Sequence, residues 1–208
     1  MLITDPWFYA AAVPAVLLFG IAKGGFGGGL GVAAVPLMAL VVSPVQAAAI
    51  LLPILCVMDL AAMRRFRGKW VWPELRLLLP ASLLGILVGT LLFEYMSASV
   101  VRLIIGIVAI TFTLHFWFHR QRSARAKPAD FPRSYGILGG SVAGFTSFVA
   151  HAGGPPISMY LLRRPLDRTD FAATAILFFA VVNYFALIYL MLFVVGIKLV
   201  YDGTSSLL

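Results

Sequence analysis

Two glycine-interrupted segments hold the residue types in this chain best suited to chemistry. They are Lys23-Gly24-Gly25-Phe26-Gly27-Gly28-Gly29-Leu30-Gly31 and Ser147-Phe148-Val149-Ala150-His151-Ala152-Gly153-Gly154-Pro155-Pro156. Each interrupts a stretch apolar enough to cross a bilayer. Backbone groups freed at that depth must be satisfied by protein, water or a ligand. An unwound segment also exposes amide N–H groups at the start of the next half-helix, the positive end of its dipole, where anions bind. Two such termini meeting near the bilayer midplane would hold one small oxyanion with little side-chain help.

The candidate binding residues are therefore Lys23, Gly24, Gly25, Gly27, Gly28 and Gly29 from the first break, and Ser147, His151, Gly153, Gly154 and Pro155 from the second. Glycine costs roughly 1 kcal/mol of helical order relative to alanine, so the density of Gly24–Gly31 predicts an unwound segment. Pro155 and Pro156 suit a helix's first turn, where no N–H is needed. Lys23 has a second reading, a lysine snorkelling to the interface. His151 reads either as a proton-sensitive ligand or as a hydrogen-bonded packing residue. Asp59, an ionisable group in an apolar span, is a functional candidate by default, but it lies five residues before Arg64, and an interfacial ion pair is the reading preferred there. Thr146, Ser147 and Asn183 are expected to hydrogen-bond between helices, and Gly85–Gly89, Gly136–Gly140 and Gly140–Gly144 to let helices approach closely. The single Cys56 reads as a packing residue. No C-x-x-C, H-E-x-x-H or G-x-S-x-G pattern occurs, so neither catalytic residues, a metal site nor a cofactor is expected, and the chain does not read as an enzyme. Gly29-Leu30-Gly31-Val32-Ala33-Ala34 fits a loose dinucleotide fingerprint but lacks the strand that the motif requires.

The elements that must position these residues follow from composition. The 208 residues are 62% hydrophobic and 12% charged, with a mean hydropathy of +0.99, against roughly 45–50% apolar and 25% charged in soluble domains. An all-α, polytopic membrane bundle is expected, with spans near Trp7–Ala22, Gly29–Val42, Val45–Met63, Leu75–Phe93, Val100–Phe118, Tyr135–Ala150, Pro155–Leu162 and Phe171–Val195, some of them half-helices. Ser43-Pro44 suits a new helix start. Met1–Pro6 has Asp5 and no Lys or Arg, so the first run reads as a retained helix rather than a cleaved leader. The net charge of +8 gathers in Arg64–Arg76, Arg120–Arg133 and Arg163–Arg168. Loops of this kind mark the cytoplasmic side of a multi-pass protein, and they argue against nucleic acid as a partner. Trp7, Trp70, Trp72, Tyr95, Trp117 and Tyr135 fall near span ends, as an aromatic belt requires.

The chain divides near its middle. Ser43–Leu51 recurs, with mismatches, as Thr169–Leu177, displaced by 126 positions. Residues 1–118 are read as a first membrane repeat, 119–134 as a basic cytoplasmic linker and 135–208 as a second, apparently truncated repeat. Five crossings in the first unit would make the pair inverted. Two closing spans of the second unit are expected to be missing, by truncation or in a naturally shortened protein.

At these residues the sequence resembles the sulfite exporter TauE/SafE family of membrane permeases. The resemblance runs in order through Ala22–Gly29, Pro36-Leu37, Ser43-Pro44, Pro80 with Gly85 and Gly89, and Gly144 through Gly153-Gly154-Pro155-Pro156. It implies a carrier in the cytoplasmic membrane that moves a small sulfur-containing or organic anion, such as sulfite or an organosulfonate. The expected partners are that anion and membrane lipid, with a homo-oligomer left open. A passive anion channel and a non-transport scaffold, in which the glycines only pack helices, are the alternatives.

Overall fold

The computed structural model describes residues 5–26, 30–93, 95–123 and 132–205, and among them all regular structure is helical. Helix α1 (Pro6–Ile21) starts where Asp5 accepts a hydrogen bond from the Trp7 amide at 3.0 Å. It gives way to a wider π-turn, Ala22–Phe26, at the first glycine cluster. Gly27, Gly28 and Gly29 lie outside the described residues. The chain resumes as a tight 3-10 turn, Leu30–Ala33, and the five-residue α2 (Ala34–Met38). Both pack back on α1, with the Phe19 ring against Gly31.

The span expected over Gly29–Val42 therefore does not form. At ~1.5–2 Å per residue, Leu30–Met38 reaches about half of a hydrocarbon core ~30 Å thick. Apolarity alone does not separate a crossing from a segment that folds back on its neighbour. The count of five crossings in the first unit falls with it.

Ser43 opens α3 (Pro44–Arg65) with a capping box, its side chain and that of Gln46 each bonding the other's amide at 3.2 Å. Arg64 and Arg65 close the helix where its dipole favours cations. After a turn through Gly68, α4 (Trp72–Phe93) and α5 (Ala98–Ser123) follow. α5 carries helix into the first residues of the expected linker, whose residues 124–131 lie outside those described. α6 (Arg133–Ala150) ends at His151, which takes the left-handed conformation, φ 49°. The amides of His151 and Ala152 bond back to the carbonyls of Ser147 and Thr146. α7 (Gly154–Leu161) then reverses along α6, which sets Gly153 beside Ala143, Pro156 beside Gly139 and Tyr160 beside Gly136.

α8 (Arg168–Ser205) is longer than the Phe171–Val195 span expected. Its 38 residues would extend ~57 Å. Among the described residues four helices are long and apolar enough to cross a membrane: Pro6–Gly24, Pro44–Arg65, Trp72–Leu92 and Arg168–Tyr189. Large apolar side chains such as Leu17, Leu91, Leu103 and Leu192 face outward, as lipid contact requires.

Two helix pairs fix the core. α4 and α6 touch backbone to backbone: a Cβ at Gly85 would lie 1.9 Å from the Ser141 carbonyl oxygen, and one at Gly144 would lie 2.1 Å from that of Ser82. The packing role expected of these glycines is what the structure has. α3 and α8 cross where Leu52 and Cys56 meet Ala186, and Cys56 is a buried packing residue as expected. At one end of the bundle Glu74 accepts hydrogen bonds from the Tyr160 hydroxyl (2.7 Å) and Arg164 Nε (2.8 Å), while Thr174 Oγ1 accepts one from the Val71 amide at 3.1 Å. These contacts gather the basic segments 64–76 and 163–168 at the same end.

Candidate functional site

A cavity of about 70 Å³ lies between the two interruptions, lined by Ala22, Lys23 and Gly31 from the first and by Ser147, His151 and Gly154 from the second. α1 adds Phe19 and α3 adds Leu55. α8 closes the wall with Phe171, Ala172, Ala175, Ile176, Phe179 and Asn183. Phe171, Ala175 and Phe179, four residues apart, form a half-buried stripe, so the cavity runs along the first turns of α8. Its size suits a small ion; sites for drug-sized molecules run to ~300–1,000 Å³.

The polar groups of the lining are Lys23, Ser147, His151 and Asn183. Lys23 makes an ion pair with Asp59, which is fully buried on α3, and the ammonium lies 5.9 Å from the centre of the Phe179 ring. Asn183 donates to the other carboxylate oxygen of Asp59 at 2.7 Å. Asp59 is thus not the interfacial partner of Arg64 that its position suggested. A charge on an apolar helix face takes the cation that packing brings, and the π-turn delivers Lys23 from 36 positions away. The same contact replaces the snorkelling reading of Lys23. Asn183 bonds between helices, as expected, from 124 positions away.

His151 Nε2 lies 2.9 Å from the Ala48 carbonyl oxygen. A carbonyl only accepts, so Nε2 carries the proton. Nδ1 is buried without a hydrogen-bond partner, and the residue holds a backbone conformation that non-glycine residues seldom adopt. Gly154 opens α7 at the cavity wall, with Pro155 in the first turn where a missing N–H is harmless.

The remaining expected residues divide. Gly24 and Gly25 belong to the π-turn, and Gly24 has open space where a side chain would stand. Gly153 is pressed against Ala143 and Ser147 of α6. Pro155 lines a different hollow, of about 430 Å³, between α5, α6 and α7. Gly27, Gly28 and Gly29 lie outside the described residues. Among the described residues no cluster of three or more His, Cys, Asp or Glu side chains is arranged to hold a metal ion.

The family model described as "Sulfite exporter TauE/SafE" matches residues 12–203, nearly the whole chain. The chain belongs to the TauE/SafE family. It is thereby a membrane protein of a transporter family, in keeping with its apolar helices. No curated protein and no solved structure matches it. In the sequence Asp59 reads as a functional candidate or, by preference, an interfacial ion pair, and Glu74 does not stand out. Their common signal was an acidic residue within or beside an apolar helix, which needs a partner wherever it is buried.

Proposed function

We propose that this TauE/SafE protein is a secondary transporter that exports a small anion, sulfite or an organosulfonate, across the cytoplasmic membrane, with the cavity between the two interruptions as its substrate site. One observation carries the reading: residues of both interruptions, Lys23 and Gly31 on one side and Ser147, His151 and Gly154 on the other, line a single ion-sized space. The Lys23 ammonium and the amide of Gly154, the one N–H that Pro155 and Pro156 leave in the first turn of α7, would face an anion there, and the ring of His151 adds a polar group beside them. The shared basic end is the cytoplasmic face in this reading, and its field draws anions toward the cavity.

The order of elements supports a repeat. Long helix, interruption, short returning helix and long helix occur as α1–α2–α3 and again as α6–α7–α8. A shift of 126 positions carries Pro6 onto Pro132 and Gly27-Gly28 onto Gly153-Gly154. We read the two units as inverted because α3 ends and its counterpart α8 begins at the same basic end of the bundle, whatever the number of crossings, with α3 and α8 crossing at their junction and the cavity opening alternately to either face as the units rock.

Thermal unfolding of the purified protein with sulfite, sulfoacetate, taurine or sulfate tests the site. Ligands that bind only the folded state raise its midpoint by mass action, by about 2.7 kcal/mol of stability at one hundred times Kd. A concentration-dependent rise with at least one sulfur oxyanion is expected. Equal unfolding with every anion at matched ionic strength would remove the proposal.

A further inference from the structure

The Lys23–Asp59–Asn183 group sits against the cavity wall. The Lys23 side chain is 13% exposed and lines the space, whereas Asp59 is fully buried behind it. An anion entering the cavity must compete with the Asp59 carboxylate for the same ammonium. Once Lys23 turns to the guest, Asp59 keeps only the amide of Asn183 as donor. A buried carboxylate with one neutral partner is an expensive state, and a proton relieves it. The other titratable groups nearby are Cys56 on the same helix, Tyr184 on α8, whose hydroxyl bonds the Cys56 carbonyl, and His151 at the end of α6. α5 meets this core through Val101 and Ile105.

We infer that the site binds its anion together with one proton, and that the proton resides on Asp59. The inference rests on the anion site proposed above. In the exchange the Lys23–Asp59 contact opens, a Lys23–anion contact forms, and water in the cavity delivers a solvent proton to the carboxylate. The bound pair of guests is electrically neutral for a monoanion. Linkage is reciprocal, so the proton tightens anion binding as much as the anion tightens proton binding. Anion affinity is therefore greatest at low pH and falls by about tenfold per pH unit once the carboxylate of the free protein is ionised.

Calorimetry of the purified protein in two buffers of different ionisation enthalpy counts the protons. The probes are methanesulfonate, whose charge is constant with pH, and sulfite. The wild type is expected to take up about one proton more per anion than Asp59→Asn does with the same probe, and Asp59→Glu is expected to restore the difference. Should Asp59→Asn fail to fold, the wild-type count with methanesulfonate decides alone, or with sulfite once the ligand's own proton exchange is subtracted. Saturable binding with no proton uptake would overturn the inference and leave the anion site standing. Uptake lost in His151→Gln and kept in Asp59→Asn would move the proton to the ring and overturn the assignment. No binding of either probe would overturn the anion site itself.

Discussion

At the scale of single residues, the ion pair of Lys23 and Asp59 is the feature that most distinguishes this cavity from a packing defect. Breaking a buried pair by removing one member leaves the other charge uncompensated, at about 3–5 kcal/mol, whereas replacing both with apolar groups is often close to neutral. Lys23→Gln should therefore lower the unfolding midpoint in detergent by several degrees, and Lys23→Met combined with Asp59→Leu should recover most of the loss. A snorkelling lysine would give no such pattern. Much of this site was legible in the sequence: Lys23, Ser147, His151 and Gly154 all line the cavity because the helix breaks that flagged them are also what bend the chain there. The role of Asp59 was not legible. Its nearest cation in sequence is Arg64, and only the tertiary fold brings Lys23 closer.

At the scale of elements, the contact between α4 and α6 depends on glycines that admit no side chain. Gly85→Ala or Gly144→Ala would drive a methyl into a facing carbonyl oxygen and part the two backbones. Either variant should lose the folded, monodisperse peak in size-exclusion chromatography. Gly106→Ala on α5 meets nothing within 4 Å and should behave as wild type. A second element-level test concerns α7, which Glu74 holds through Tyr160 and Arg164. Glu74→Leu removes both bonds and leaves the buried Tyr160 hydroxyl without its acceptor, at ~1–3 kcal/mol, so faster proteolysis at the turn between α7 and α8 is expected. Helix starts were readable where side chains cap them, as at Ser43-Pro44. Helix lengths were not. The returning segment after Gly29 is as apolar as a true span, and what distinguishes it is that it packs back on α1.

At the scale of the whole molecule, the basic segments at one end predict the orientation in the membrane. With Cys56 replaced by serine, a cysteine at Arg67 should react with impermeant maleimide only from the cytoplasmic side, and one at Tyr95, 82% exposed beyond α4, only from the opposite side. Labelling of both from one side would remove α4 as a crossing. A transporter's cavity must carry its anion through the bilayer. The most direct measurement is counterflow in proteoliposomes preloaded with unlabelled sulfite, or in turn with sulfoacetate or taurine, and diluted into a trace of the same labelled anion. We predict transient, saturable accumulation with at least one of them, abolished by Ala175→Trp, which fills the cavity from α8, while the variant still folds. The absence of accumulation with all of them, or accumulation that persists with the cavity filled, would contradict it.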